Sequence, residues 1–403
     1  MVITPSPPKT FRVFLRNLWR LKLSADWTSL DIHQTVLRII ARVSGRAFVG
    51  LPLCRDEDWL KISVLFTVDA MKSIREFRSI SGFARPFKAF FYQPAKVLDN
   101  HRKLAKARLT PVIEARLAEE EAAKKAGRPP IDYHDTLQWF RDVVRPEHKT
   151  PEAIAELQLG LSMVAIHTTA MSLTTVVLDL AAHPEYIQPL REEIEAVIKE
   201  DGGAVQKMTL RKMRKMDSFI KESFRGRVGL RRWPCKSPEM RASYIFHAHR
   251  GPDYFAVSFT RKVMKSFTLS DGTFLPKGAV VAAPRTMFDL DPEFIEDPEV
   301  FDGFRSYKKH LASGGAGQFD KSQSVTTSPS YVTFGHGTHA CPGRFFALDE
   351  LKLLLCHLLL QYDIMFGEGN PLLPFTAGES IRPNPAQKLS LKKIQTQKKF
   401  DFL

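Results

Sequence analysis

The chain has 403 residues, 44% of them hydrophobic, and a formal net charge of +15. It can bury a large core, and its four cysteines (Cys54, Cys235, Cys341 and Cys356) lack the paired spacing of a disulfide framework, which points to a reducing, intracellular setting. The basic residues are spread along the chain and are not interleaved with aromatics on a reading module. Nucleic acid is therefore not an expected partner, whereas an acidic protein or an anionic membrane surface fits the sign of the charge.

Residues 1–8 are proline-rich and are read as unstructured. Residues 10–23 read as a basic amphipathic helix: Arg12, Arg16 and Arg20 stack at i, i+4 spacing, opposite Phe11, Phe14, Leu18 and Leu21. Such a helix packs on a domain edge or makes a peripheral contact with a membrane interface. Residues 26–43 and 57–77 carry apolar side chains at helical spacing. Residues 98–126 form a long charged helix, punctuated by Gly127, Pro129 and Pro130. The next helix starts sharply at Thr150-Pro151-Glu152, a cap residue, a first-turn proline and an acid. It runs through Leu157, Leu161, Val164, Ala165 and Thr168 to Leu180, apolar on almost every face, so it is predicted to cross the interior. No unbroken run of about 18 apolar residues exists, and no transmembrane helix is predicted. Pro184 ends that helix and residues 185–199 make another. Strand signals come late. Residues 263–269 and 273–275 flank Asp271-Gly272, a type I′ hairpin signal, and Lys277-Gly278 turns into a strand over 279–282. A helix-like run over 344–360 follows. The expected fold class is mainly α with a smaller β part (α+β). Its expected layout is one domain over 26–403 behind a basic, proline-led segment, 1–25.

The most informative stretch is 334–343, F-G-H-G-T-H-A-C-P-G. It places Cys341 in a loop loosened by Gly337 and Gly343, seven residues after Phe334 and directly before a helical run. Pro342 suits the first helical position, where its missing N–H costs nothing. Cys341 is then expected at a helix N-terminus, whose dipole and free N–H groups favour the thiolate. A thiolate is the ligand that lets a haem iron push electron density into bound oxygen. A zinc site of His336, His339 and Cys341 is the competing reading, but structural zinc wants four ligands. Cys356, the next candidate, lies along an apolar helix and is expected to face a core.

Position for position, this run resembles the cysteine-ligand loop of the cytochrome P450 family. The resemblance implies that Cys341 is the axial iron ligand of haem b, with Phe334 shielding the sulfur and Gly337 and Gly343 letting the backbone approach the cofactor. It implies a propionate contact for His339, where the family more often has arginine. Ala165-Ile166-His167-Thr168-Thr169 resembles the family's oxygen-activation segment, which implies catalytic roles for Thr168 and for His167, the latter standing where Asp or Glu is usual. Read without the resemblance, the two threonines bond the carbonyl four residues back, as helix threonines do. Glu222 and Arg225, in K-E-S-F-R, match the helical E-x-x-R pair and share one helix face at i, i+3, although a solvated surface pair has the same spacing. Phe301-Asp302-Gly303-Phe304-Arg305 resembles the second arginine segment. The resemblance thus implies a Glu222, Arg225 and Arg305 cluster that locks the cysteine loop to the core, held by two-bond guanidinium–carboxylate contacts.

Two regions depart from the family. The resemblance runs from about residue 37, and no anchor, first sheet or propionate-binding helix is found before Asp26, so an N-terminally truncated member is expected. Residues 226–257 carry six Lys or Arg against two acids, lack periodicity and are expected to be an insert of translated non-coding or mis-assembled sequence. The implied activity is oxidation of an apolar small molecule, a terpenoid-type fungal secondary metabolite, with O2 and electrons passed from NADPH by a flavoprotein reductase. The alternative is a catalytically inactive haem-protein relic. The resemblance implies the endoplasmic reticulum membrane as location.

Overall fold

A computed structural model describes residues 26–79, 93–145, 147, 149–226, 257–284, 289–314, 319–367, 375–377 and 380–395. The basic helix read over 10–23, Cys235, and the expected insert between its end residues lie outside them. The chain forms two compact units, one of Thr35–Ala170 and one of Met1–Gln34 with Met171–Leu403.

The smaller unit holds most of α1 (Ile32–Phe48), then α2 (Glu57–Ser79), α3 (Gln93–Lys125), α4 (Thr136–Val143) and the first part of α5 (Pro151–Ala182). Local chemistry sets the helix starts. The Trp59 N–H donates to the Asp56 carboxylate at 2.7 Å, and the Ala153 N–H donates to Thr150 Oγ1 at 3.2 Å, so α5 begins at the predicted cap. Helix α2 packs on α3. In the same unit a buried ion pair joins α3 to α4: Arg116 Nη1 donates to Asp135 Oδ1 at 2.8 Å and Nη2 to Oδ2 at 2.6 Å. Asp135 also caps α4, accepting the Gln138 N–H at 3.0 Å. Gly50 makes room for this carboxylate; its φ is 69°, and a Cβ there would stand 2.5 Å from Asp135 Oδ2. Gly50→Ala should therefore force an L-residue into the left-handed region and push the pair apart. We expect a loss of about 2–5 kcal/mol, read as a lower urea midpoint, and an unchanged midpoint would show that the loop absorbs the methyl group.

In the larger unit, β1 (Thr28–Asp31), β6 (Tyr362–Phe366) and β9 (Lys388–Lys393) form an antiparallel sheet with β9 in the centre. Leu30 pairs with Leu389, and Ile364 with Leu391. The helix predicted from residue 26 therefore starts only at Ile32, after a strand. Its local pattern yields to a strand partner from the far end of the chain, and the Asp31 carboxylate accepts the Gln34 N–H at 3.0 Å to open α1. Strand β2 (Val257–Lys262) pairs with β5 (Val280–Pro284), and β3 (Phe267–Thr268) with β4 (Phe274–Leu275). Strand β2 ends before the strand predicted at 263–269. The turn between β3 and β4 is not type I′, which needs positive φ at two successive residues; only Gly272, at 88°, has it. Strands β7 (Phe375–Ala377) and β8 (Ser380–Arg382) make a further hairpin.

Among the described residues, the α-helices of this unit are the rest of α5, α6 (Ile187–Glu200), α7 (Lys207–Lys212), α8 (Arg214–Gly226), α9 (Arg305–Ala312), α10 (Phe319–Ser322) and α11 (Arg344–Gln361). Helices dominate and the sheets are small, as expected. Helix α11 buries Leu348, Leu351, Leu354, Leu355, Leu358 and Leu359, and with them a charge, Lys352, which is met by Asp217 Oδ1 at 2.8 Å. Arg191 closes its C-terminal end, donating to the Leu359 and Tyr362 carbonyls at 2.8 and 3.0 Å and to Asp363 at 2.8 Å. Helix α5 is long and apolar enough to cross a membrane by length and composition, with a mean hydropathy of 1.6 in its best window. The sequence reading missed this because it counted unbroken apolar runs, and His167 and the threonines interrupt those. Half of that window is buried within the protein.

Burial holds the His357 imidazole down at about 4, against an ordinary 6.5. The unfolded chain takes up this proton before the folded one, so stability should fall as pH drops from 6.5 towards 4. The loss is of order 3 kcal/mol. His357→Gln should flatten that limb in urea unfolding measured across the range. Parallel acid limbs in the two proteins would remove His357 as its source.

Candidate cofactor site

The loop 334–343 folds back on itself through Gly335 and Gly337, with φ of 71° and 69°. A Cβ on Gly335 would come to 3.3 Å from the His339 carbonyl oxygen. The Cys341 N–H donates across the loop to the Phe334 carbonyl at 2.7 Å, and the Ala340 N–H to that of Gly337 at 3.1 Å. Helix α11 starts at Arg344 with Gly343 as its N-cap, so Pro342 is not its first residue and Cys341 lies just upstream of the cap. The reason is in the hydrogen bonds: the Cys341 carbonyl is taken by Arg344 Nη1 at 2.8 Å, and the first firm helical bond runs from Ala347 N–H to the Gly343 carbonyl at 2.9 Å.

The Cys341 thiol is exposed, while Cys54 and Cys356 are buried. Burial pushes the Cys54 thiol up to about 11 and the Cys356 thiol further still, which penalises the thiolate each would need to bind a metal. Among the described cysteines, Cys341 is the one whose sulfur a cofactor can reach. Gly343 neighbours the sulfur: a Cβ there would lie 4.0 Å from Cys341 Sγ, in ordinary contact. A soft thiolate on a loop that presents one face to solvent suits haem iron, so the residues fit that group. Phe334 is half-buried, and its ring meets Phe224 edge-on at 5.8 Å. His339 is exposed. His336 pairs through Nδ1 with Thr327 Oγ1 at 3.0 Å. Among the described residues no three His, Cys, Asp or Glu side chains gather as a metal set, so nothing supports the zinc reading.

Glu222 and Arg225 are not a solvated pair: they are 3% and 6% exposed. Arg225 Nε donates to Glu222 Oε2 at 2.9 Å while its Nη2 bonds Oε1, and Arg305 Nε reaches the same carboxylate at 3.4 Å. The expected three-residue cluster is assembled. Its guanidinium groups also hold backbone: Arg225 donates to the Asp289 and Pro298 carbonyls at 3.0 and 2.8 Å, and Arg305 to the Val300 carbonyl at 2.7 Å. Because Phe224 sits between Glu222 and Arg225 on α8 and packs against Phe334, the cluster's helix touches the cysteine loop directly.

The sequence reading did not single out Arg344. Its Nη1 donates to the Cys341 carbonyl at 2.8 Å and its Nε to the Val325 carbonyl at 3.1 Å, pinning the loop from its helical side. Its position straight after Pro-Gly was the available signal, read only as the start of a helix.

His167 and Thr168 belong to the smaller unit, and the cysteine loop and the Glu222 cluster to the larger. Thr168 is exposed and its hydroxyl donates to the Val164 carbonyl at 2.6 Å, the back-bond typical of helix threonines. Leu157, Leu161, Val164 and Thr168 share one face of α5, and Val164 is 59% exposed. His167 Nε2–H donates to the Val64 carbonyl on α2 at 3.0 Å, which fixes its ring against that helix.

The chain matches the family model described as Cytochrome P450 over residues 8–230 and 253–391, a span that begins upstream of the motifs read from the sequence. It is 37% identical over 372 residues to cytochrome P450 monooxygenase hepE of Aspergillus oryzae, covering 92% of this chain and 62% of that protein. It is 34% identical over 400 residues to cytochrome P450 monooxygenase adrA of Penicillium rubens, covering 99% of this chain and 71% of the relative. The chain thus spans less than two thirds of hepE's length. Among solved structures, the retinoic acid-bound cyanobacterial CYP120A1 is similar with a TM-score of 0.61 at 18% identity, covering 96% of this chain and 76% of its own.

Proposed function

The chain belongs to the cytochrome P450 family, and on that premise we propose that it is a haem-dependent monooxygenase of an apolar small molecule. The carrying observation is the exposed Cys341 thiol, on a glycine loop pinned by Phe334, Arg344 and the buried Glu222 cluster. Haem b bound there would supply oxygen activation, with Cys341 as its thiolate and Phe334, Gly337, His339 and Gly343 beside it. Glu222, Arg225 and Arg305 fix the loop that carries the ligand. Thr168, its proton on the Val164 carbonyl, offers an oxygen that can hold a water molecule, and the apolar face beside it favours an apolar substrate. We extend the proposal to a terpenoid-type substrate, to electrons from NADPH through a flavoprotein reductase, and to attachment at the endoplasmic reticulum membrane. The decisive experiment is the reduced, carbon-monoxide-bound spectrum of purified protein; absence of a thiolate-type band would end this reading.

A catalytically inactive haem protein is the second reading, favoured by the gap in the family match between residues 230 and 253. Turnover with a reductase separates the two. We also propose that 226–257 is an insert, supported by the gap in the family match between residues 230 and 253. A spliced transcript encoding those residues would count against it.

If Thr168 holds the water that delivers protons, Thr168→Ala should still bind haem yet consume NADPH with little product, releasing hydrogen peroxide instead. Thr168→Ser should retain most coupling. Equal coupling in wild type and Thr168→Ala would leave the hydroxyl with its helical back-bond alone.

A further inference from the structure

A cleft of about 300 Å³ lies in the larger unit, between α8, α9 and the segment from α10 to Tyr331. At about 30 Å³ per water it has room for roughly ten waters, the scale of a small ligand with part of its hydration. Its charges are unbalanced. The carboxylate of Glu222 is taken up by Arg225 and Arg305, and the buried Asp289 is a second acid in the lining, against which stand more cations. Three ammonium groups, those of Lys221, Lys309 and Lys321, line the same space. Lys221 makes one hydrogen bond to a carbonyl, that of Ser322 at 3.0 Å, and its ammonium lies 4.6 Å from the centre of the Tyr331 ring. Burial lowers it from 10.5 to about 8, opposed by the nearby Asp217 carboxylate and helped by repulsion from Lys309. Lys309 and Lys321 are exposed and have no carboxylate partner among the described residues.

The lining also selects the kind of anion. Planar carboxylates are best held by a free guanidinium fork, and both forks here are already committed to Glu222 and to backbone carbonyls. What remains is a set of separate point charges with the hydroxyls of Ser306 and Ser330 beside them. That set suits a tetrahedral oxyanion, which can take bonds from several directions. We propose that this cleft is a binding site for a phosphate-class dianion, either free phosphate or a phosphomonoester. Its ligand would link α8, α9 and α10 by charge without touching the Cys341 loop, so the proposal stands apart from the haem reading.

Titrating the purified protein with inorganic phosphate, against chloride at matched ionic strength, tests it. Phosphate should give a saturable rise in Tm and a saturable change in the phosphorus NMR signal. Exchanging Lys309→Gln and Lys321→Gln together should weaken binding at least tenfold, and Lys221→Met should do the same. The exposed pair decides the matter should Lys221→Met fail to fold. Equal effects of chloride and phosphate, or an unchanged affinity in the Lys309 and Lys321 double variant, would overturn the proposal. Competition from phosphatidic acid vesicles, but not phosphatidylcholine vesicles, would assign a lipid headgroup. Phosphate binding without such competition would assign a soluble ligand, and either result supports the site.

Discussion

Cys341→Ala is expected to abolish the thiolate-type carbon-monoxide spectrum completely, whereas Cys54→Ala and Cys356→Ala should leave it in place. The contrast rests on access as well as on chemistry. Cys54 and Cys356 are buried, and burial holds their thiols protonated, for Cys54 against the pull of Arg46, Arg55 and Arg42, so neither can become a ligand without the core opening. Cys341 has its sulfur at the surface of a loop whose backbone is already closed by its own N–H on Phe334. Alanine there removes the sulfur and leaves that backbone bond intact. The variant should therefore fold and unfold like the parent while losing the spectral signature, which separates loss of a ligand from loss of the structure. A retained thiolate-type band in Cys341→Ala would make another residue the ligand.

The largest expected loss of stability comes from Glu222→Ala. Its carboxylate accepts from Arg225, Arg305 and the Asp302 N–H, at 3.1 Å for the last. Removing it strands two guanidinium groups, one of them 6% exposed, and should cost about 3–5 kcal/mol. Both arginines hold the backbone around 289–300, so that segment should loosen as well. Changing Glu222 and Arg225 together to leucine should cost less than the two single changes summed, because no lone charge stays buried. Urea unfolding of the four proteins gives the comparison. Strict additivity would mean that the pair is not coupled, in conflict with the 2.9 Å contact between its members.

The features read correctly from the sequence are those whose causes are local. The start of α5 follows from Thr150 and Pro151, and the shared face of Glu222 and Arg225 from their i, i+3 spacing. The Arg305 contribution needed the family resemblance, because no spacing rule joins residues so far apart in sequence. What was not legible depends on distant partners. Thr28–Asp31 looks helical until Lys388–Lys393 pairs with it. Pro342 suits the first turn of a helix, but the carbonyl of Cys341 before it is taken by the Arg344 side chain. The bond from His167 Nε2–H to the Val64 carbonyl joins two helices about a hundred residues apart, and nothing in the local sequence announces it. The Arg116–Asp135 pair gave no signal at all, since a charge on a long charged helix looks like any other until the fold buries it.

The pairing of Thr28–Asp31 with Lys388–Lys393 also sets an order of events during translation. At about 5–20 residues per second, the stretch from Thr28 to Leu391 takes roughly 20–70 s to synthesise, and for that time the first strand has no mate. Thr35–Ala170 is contiguous and emerges well before then, so it can fold while the larger unit waits for Lys388–Lys393. The waiting strand is a bare edge of the kind that recruits other strands. Growing chains should therefore engage holding chaperones until the last strand leaves the ribosome.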